Sequence, residues 1–220
     1  MDFHMRNTTF ISSMVLSVAC VSAANAGVVD PFTVASSATN DDGTYTETPI
    51  TGGLWDTRYT NVQYRINITN RATASMVVDA STNAATFTVT RVGLANNQND
   101  QSGALEYDNN AGVTDVSNFT SLTFNYTSTF SALLFEIDLG GKNATKTISA
   151  SAGGTFTLTA AELSGAFSGA GYMNLVFRQD DSNASGTFTM TNLVANGIPA
   201  PGAIALLGAA GLIGGRRRRD

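Results

Sequence analysis

The stretch Gly52-Gly53-Leu54-Trp55-Asp56-Thr57-Arg58-Tyr59 gathers side chains suited to holding a sugar. Trp55, the only tryptophan of the chain, and Tyr59 offer flat aromatic faces that stack on sugar rings. Asp56 and Arg58 offer hydrogen bonds to hydroxyls. A carbohydrate site built from Trp55, Asp56, Arg58 and Tyr59 is therefore one expectation. The other is that Trp55 packs at the edge of a hydrophobic core, with Asp56 and Arg58 paired on the surface.

Oxygen ligands are the second kind of chemistry on offer. Asp100, Asp108, Asn109, Asp180 and Asp181 lie in Asn- and Asp-rich segments and could contribute to a calcium site. Calcium takes several oxygens gathered by the fold, and neither an EF-hand nor a nonapeptide spacing is present, so solvated turn residues are the competing reading. Glycoside hydrolysis would need two carboxylates facing one cleft. Glu106, Glu136 and Asp138 are available, but Glu136 and Asp138 share the polar side of one alternating run, where solvent-facing charges belong.

Other chemistry is closed off by composition. The single histidine, His4, and the single cysteine, Cys20, both precede the expected cleavage point of an export signal. Beyond it there is no His for a triad or a metal site, no thiolate and no disulfide framework. Gly140-Gly141-Lys142 lacks the rest of a phosphate-binding loop. Residues 27–197 carry 7 Lys and Arg against 15 Asp and Glu. Such an acidic domain is unsuited to nucleic acid. No cofactor is expected apart from the calcium already considered.

The elements that must position these residues read as strands. Val62/Tyr64/Ile66/Ile68, Phe87/Val89, Leu122/Phe124/Tyr126, Leu133/Phe135/Ile137/Leu139, Met173/Leu175/Phe177 and Phe188/Met190 all recur with period two, separated mostly by polar residues. Gly-Gly pairs at 52–53, 140–141 and 153–154, and Asp41-Asp42-Gly43, mark turns. Thr159, with Glu162 at capping-box spacing, predicts one short helix. Nine or ten strands at even spacing predict an all-β fold, an antiparallel β-sandwich or jelly roll.

Both ends read as addresses. Arg6, an apolar run from Phe10 to Val21 and Ala24-Asn25-Ala26 have the order of a Sec signal peptide over 1–26, with Met1 or Met5 as initiator. Ser17 stands three residues before Cys20, where a lipoprotein signal wants Leu, which favours the plain signal. At the other end, Pro199-Ala200-Pro201-Gly202 precedes an apolar run, and Arg216, Arg217, Arg218 and Arg219 follow it. The 14 uncharged residues from Gly202 to Gly215 would span about 21 Å as a helix, short of a ~30 Å hydrocarbon core. Snorkelling arginines would help it span, with the C-terminus in the cytoplasm. The alternative is a buried C-terminal helix with a solvated basic end.

This order of Pro-x-Pro, apolar segment and terminal Arg cluster resembles the sorting signal of the PEP-CTERM family of exported bacterial proteins, over residues 198–220 only. Ala200 stands where that family usually has Glu. The resemblance implies retention in the membrane during transit and recognition by an exosortase-type membrane transpeptidase that cuts near the motif. It also implies a producer of extracellular polysaccharide or biofilm. The combined expectation is a signal peptide (1–26), a sandwich domain (27–197) and a sorting segment (198–220). The role expected is structural or adhesive and non-enzymatic, at the cell surface or in an extracellular matrix. A carbohydrate-binding module is the first alternative, and a glycan hydrolase the second.

Overall fold

The structure is a computed structural model that describes residues 26–39, 45–64, 72–91, 101–109, 114–149, 153–169, 171–179 and 185–198. Thirteen strands lie among them, more than the nine or ten expected: β1 (Ala26–Asp30), β2 (Ser36–Thr39), β3 (Thr46–Pro49), β4 (Thr57–Tyr64), β5 (Ala72–Asp79), β6 (Ala84–Arg91), β7 (Gln101–Asp108), β8 (Ser121–Ser128), β9 (Ala132–Leu139), β10 (Lys142–Ser149), β11 (Gly154–Thr159), β12 (Met173–Gln179) and β13 (Gly186–Asn196). The short helix expected at Thr159 is a three-residue 3-10 turn, Ala160–Glu162, in which the Glu162 carboxylate accepts from the Thr159 N–H (2.7 Å) and hydroxyl (2.9 Å). No helix among the described residues is long and apolar enough to cross a membrane.

The strands form two antiparallel sheets packed as a jelly-roll sandwich. One has the order β11-β8-β13-β6-β5-β2, with β1 also paired to β13. The other, of six strands, has the order β10-β9-β12-β7-β4-β3. β13 pairs with β6 through its first half and with β1 through its second. The register slips between Thr191 and Val194, where Asn192 takes a positive φ of 54°. That bulge lets one strand bend to serve two neighbours.

Period-two alternation places the core between the sheets, as the sequence predicts. Phe124 and Phe156 stack at 4.8 Å in the first sheet. They meet Phe135 of the second sheet edge-on at 5.5 and 5.0 Å, and Phe177 packs on Phe188 at 5.0 Å. These separations lie in the favourable range for aromatic pairs, each contributing about 0.5–1.5 kcal/mol beyond its buried area. Gly103, in β7, leaves room for this packing: a Cβ there would lie 2.6 Å from Phe87. The Gly140-Gly141 pair closes the β9–β10 hairpin with φ of 58° and 93°, the two positive angles that a tight two-residue turn needs.

The outward face of the first sheet is a threonine array. Thr86 and Thr88 of β6 lie opposite Thr189 and Thr187 of β13, with the Thr86 and Thr189 hydroxyls 3.1 Å apart. Thr123, Thr127, Thr155 and Thr157 extend it across β8 and β11. Branched, hydroxyl-bearing side chains suit a half-wet pleated surface. The outward face of the six-stranded sheet differs in kind.

Candidate functional site

Of the four candidates in the Trp55 stretch, Trp55 and Arg58 face inward. Trp55 is 1% exposed, its ring 6.0 Å from that of Tyr107, and its Nε1–H donates to the Gly171 carbonyl at 2.5 Å. It has no face to offer a sugar. Arg58 is fully buried and pairs with Asp30 at 2.5 Å, not with Asp56 on the surface. Its second amino group donates to the Val34 carbonyl and the Ser36 hydroxyl. Alternation along β4 explains the split: Arg58, Thr60 and Val62 point into the sandwich, and Tyr59 between them points out. Asp56, just before β4, is part-buried and accepts from the Thr57 hydroxyl at 2.8 Å.

Tyr59 sits in a row that the strand register carries across all six strands. Asn143 lies opposite Asp138, Asp138 opposite Asn174, Asn174 opposite Glu106, Glu106 opposite Tyr59, and Tyr59 opposite Glu47. At the usual strand spacing this row is about 24 Å long. Beside it runs a second row, Thr145, Glu136, Val176, Ala104 and Asn61. An open hollow of about 320 Å³ is lined by Glu136, Asp138, Asn143, Thr145, Asn174 and Val176. The Tyr45 ring meets Tyr59 edge-on at 6.4 Å and is half exposed.

The electrostatics of the face are one-sided. Partial burial raises the Tyr59 phenol above its ordinary range, helped by the charges of Glu47, Asp108, Glu106 and Asp56. Partial burial likewise raises Tyr172, aided by its hydrogen bond to the Asp138 carboxylate and by the charges of Asp138 and Glu106. Desolvation lifts the half-buried Glu106 carboxyl, and the charge of Asp108 adds to the lift. Glu136 pairs with Arg178 at 3.1 Å. Among the described residues Glu106, Asp108 and Asp138 are in no ion pair. Unpaired polar atoms lie in both rows: the buried Oδ1 of Asn174, and both Nδ2 and Oδ1 of Asn61, a residue 1% exposed.

The remaining candidates separate. Asp100, Asp180 and Asp181 lie outside the described residues. Asp108 is exposed and accepts from the Asn109 N–H at 2.7 Å. The Asn109 side-chain oxygen accepts from the Asp56 N–H at 2.8 Å and its amide donates to Thr114, so this side chain braces a loop. No group of three or more His, Cys, Asp or Glu side chains among the described residues is placed to hold a metal ion. Glu136 and Asp138 stand on the outward face of β9, as alternation predicts, and Asp138 also accepts from the Gly141 N–H at 2.9 Å. Pro199, Ala200, Pro201, Gly202 and Arg216–Arg219 lie outside the described residues. Packing continues through Ile198, which is 1% exposed, and β1 begins at Ala26.

Asn174, Tyr172 and Asn61 belong to this face but carry no local mark in the sequence. The only signal for them is the polar phase of each alternating run. It becomes a row only when the register of five strand pairs is known.

No family model matches the chain, and no curated protein matches it. Several solved structures are similar to it in part. The family 11 carbohydrate-binding module of the cellulosomal cellulase Lic26A-Cel5E of Clostridium thermocellum is similar to it with a TM-score of 0.45 and 12% identity, over 80% of this chain and 96% of that one. A family 29 carbohydrate-binding module is similar with a TM-score of 0.39 and 12% identity, over 76% of this chain and 96% of that one. The enzymatically active domain of tailspike protein 4 of bacteriophage CBA120 is similar with a TM-score of 0.37 and 11% identity, over 76% of this chain and 20% of that one.

Proposed function

We propose that this chain is an exported polysaccharide-binding protein that holds a glycan across the outward face of its six-stranded sheet. The observation that carries the reading is the row Asp138, Asn174, Glu106 and Tyr59, flanked by Tyr172 and by the hollow beside Asn174. A polysaccharide is a run of hydroxyl donors and acceptors with apolar ring faces. Carboxylates and an amide set among tyrosines meet both kinds of surface. A row crossing six strands suits a polymer better than a single sugar. Its role is to attach the chain to polysaccharide without cleaving it.

The termini complete the proposal. The Sec-type signal over 1–26 exports the chain, and the PEP-CTERM-like segment over 198–220 holds it in the membrane until an exosortase-type enzyme releases it at the surface. Mass spectrometry of the protein from its native host tests this. A C-terminus near Pro201 is expected, and an intact Arg216–Arg219 end would overturn sorting.

Glycan binding is tested by titrating neutral oligosaccharides into wild type, Tyr59→Ala and Tyr172→Ala. Binding that both substitutions weaken, with melting temperature unchanged, is expected. Unaltered binding in both would move the site off this face. Release of reducing ends would replace a binding protein by a hydrolase.

A further inference from the structure

Among the described residues, the charged groups on this face are nearly all carboxylates. Glu47, Glu106, Asp108, Glu136 and Asp138 supply carboxylates from β3, β7 and β9. Arg178 is the one cation placed among them in the described residues, and it is spent on Glu136. The buried Oδ1 of Asn174, between Asp138 and Glu106, is a further acceptor without a donor. In the adjoining row, Asn61 is almost wholly enclosed with both ends of its amide unpaired. A face of this kind repels uronate and sulfate polymers. A neutral glycan would satisfy the acceptors with hydroxyls but leave the carboxylates to repel one another.

Resting on the proposed function, we infer that the glycan recognised by this face is an amino-sugar polymer with free ammonium groups, seated between Glu106 and Asp138. These two carboxylates stand on the strands either side of β12, with Asn174 between them. An ammonium donates three hydrogen bonds and has no acceptor, which complements two carboxylates and an amide oxygen. Its charge relieves the repulsion that Glu106 feels from Asp108. Tyr59 stands opposite Glu106 and the Tyr172 hydroxyl donates to Asp138, so the two rings provide the surface against which an amino sugar lies.

The test titrates the full chain, with chelator present, at about pH 6, where amines are protonated and ordinary carboxylates ionised. The probes are chitosan oligosaccharides, the same oligosaccharides fully N-acetylated, cellohexaose and oligogalacturonate. Chitosan oligosaccharides are expected to bind tighter than the acetylated ones by on the order of tenfold, with oligogalacturonate not binding. The preference should shrink in high salt and in Glu106→Gln and Asp138→Asn, each of which weakens chitosan binding by a larger factor than binding of the acetylated oligosaccharide. Equal affinity for the amino and acetylated forms overturns this inference and leaves glycan binding standing. Absence of binding by every probe overturns both. Chitosan binding that needs added calcium, or that survives unchanged in both variants, assigns the acceptors to another ligand.

Discussion

The Nη1 of Arg58 lies 2.5 Å from Oδ2 of Asp30 in the interior of the sandwich, where the two side chains are 0% and 1% exposed. The pair joins β1, the first described strand, to β4 of the other sheet. Asp30 also accepts from the Phe32 N–H at 2.7 Å, holding the turn after β1. Burial and the Asp30 charge push the neighbouring Tyr107 phenol well above its ordinary value. Removing one partner leaves a buried charge, so Arg58→Met should destabilise the domain by about 3–5 kcal/mol in urea denaturation. Replacing both partners, as Asp30→Asn with Arg58→Met, should recover part of that loss. A double variant as unstable as the sum of the singles would mean that the two residues act independently.

The two aromatic residues of the Trp55 stretch should part company under substitution. Trp55→Ala empties a buried site and should lower stability by about 3–5 kcal/mol, with any loss of glycan binding following from the fold. Tyr59→Ala should leave the melting curve near wild type and weaken glycan binding directly. Calorimetric titration beside thermal melts separates these outcomes. A Trp55→Ala variant that folds normally would contradict the buried position of the ring.

Glu106 carries the electrostatic cost of the carboxylate row. Its carboxyl is raised above the ordinary value of 4.5, so the folded protein disfavours the ionised form. The sign follows: stability is fully present below 4.5 and falls as pH rises through the higher folded value. Glu106→Gln should therefore melt higher than wild type at neutral pH. The gap should close as the pH drops below the ordinary carboxylate range. Thermal melts across this window decide it, and a Glu106→Gln variant less stable at neutral pH would overturn the electrostatic reading.

Glu162 should behave in the opposite sense. The Lys146 ammonium, together with the N–H and hydroxyl of Thr159, lowers its carboxyl from 4.5 to about 2. The contribution is present above 4.5 and is lost as pH falls towards 2. Glu162→Gln should melt below wild type at neutral pH and match it at the acid end of that window. Exposure of both partners keeps the difference small and sensitive to salt.

Gly103 tests the packing. A methyl group there would sit 2.6 Å from the Phe87 ring, so Gly103→Ala should destabilise by about 1–3 kcal/mol in the same urea assay.

Strands whose inward residues are large were legible from the sequence. β9, β12 and the first half of β13 stand where Leu133–Leu139, Met173–Phe177 and Phe188/Met190 predict them. β7 was not legible, because its inward residues are Gln101, Gly103, Leu105 and Tyr107, and a glycine and a glutamine break the apolar phase. β10 hid for another reason: as a sheet edge it buries only Ile148, so Lys142–Ser149 reads as a polar loop. At the site, Tyr59 was picked out as an aromatic beside charges. Trp55 is buried, as the core-packing expectation has it, whereas the surface pairing expected for Arg58 fails because nothing local fixes which phase of β4 faces inward. Arg58 takes an inward position against the usual preference of its type, and Asp30, 28 residues away, makes that tolerable.

The threonine array and the carboxylate row lie on opposite sides of one thin slab. Across the outward positions of β5, β6, β8, β11 and β13, the charged side chain among the described residues is Asp79, at the end of its strand. Glu47, Glu106, Asp108, Glu136 and Asp138 concentrate negative charge on the other side. Among the described residues, negative charge is thus displaced along the sheet normal. In the field of a cationic fibre the domain experiences a torque as well as an attraction. Such a charge distribution would turn the acidic side towards the fibre before contact and leave the threonine array towards the surrounding water.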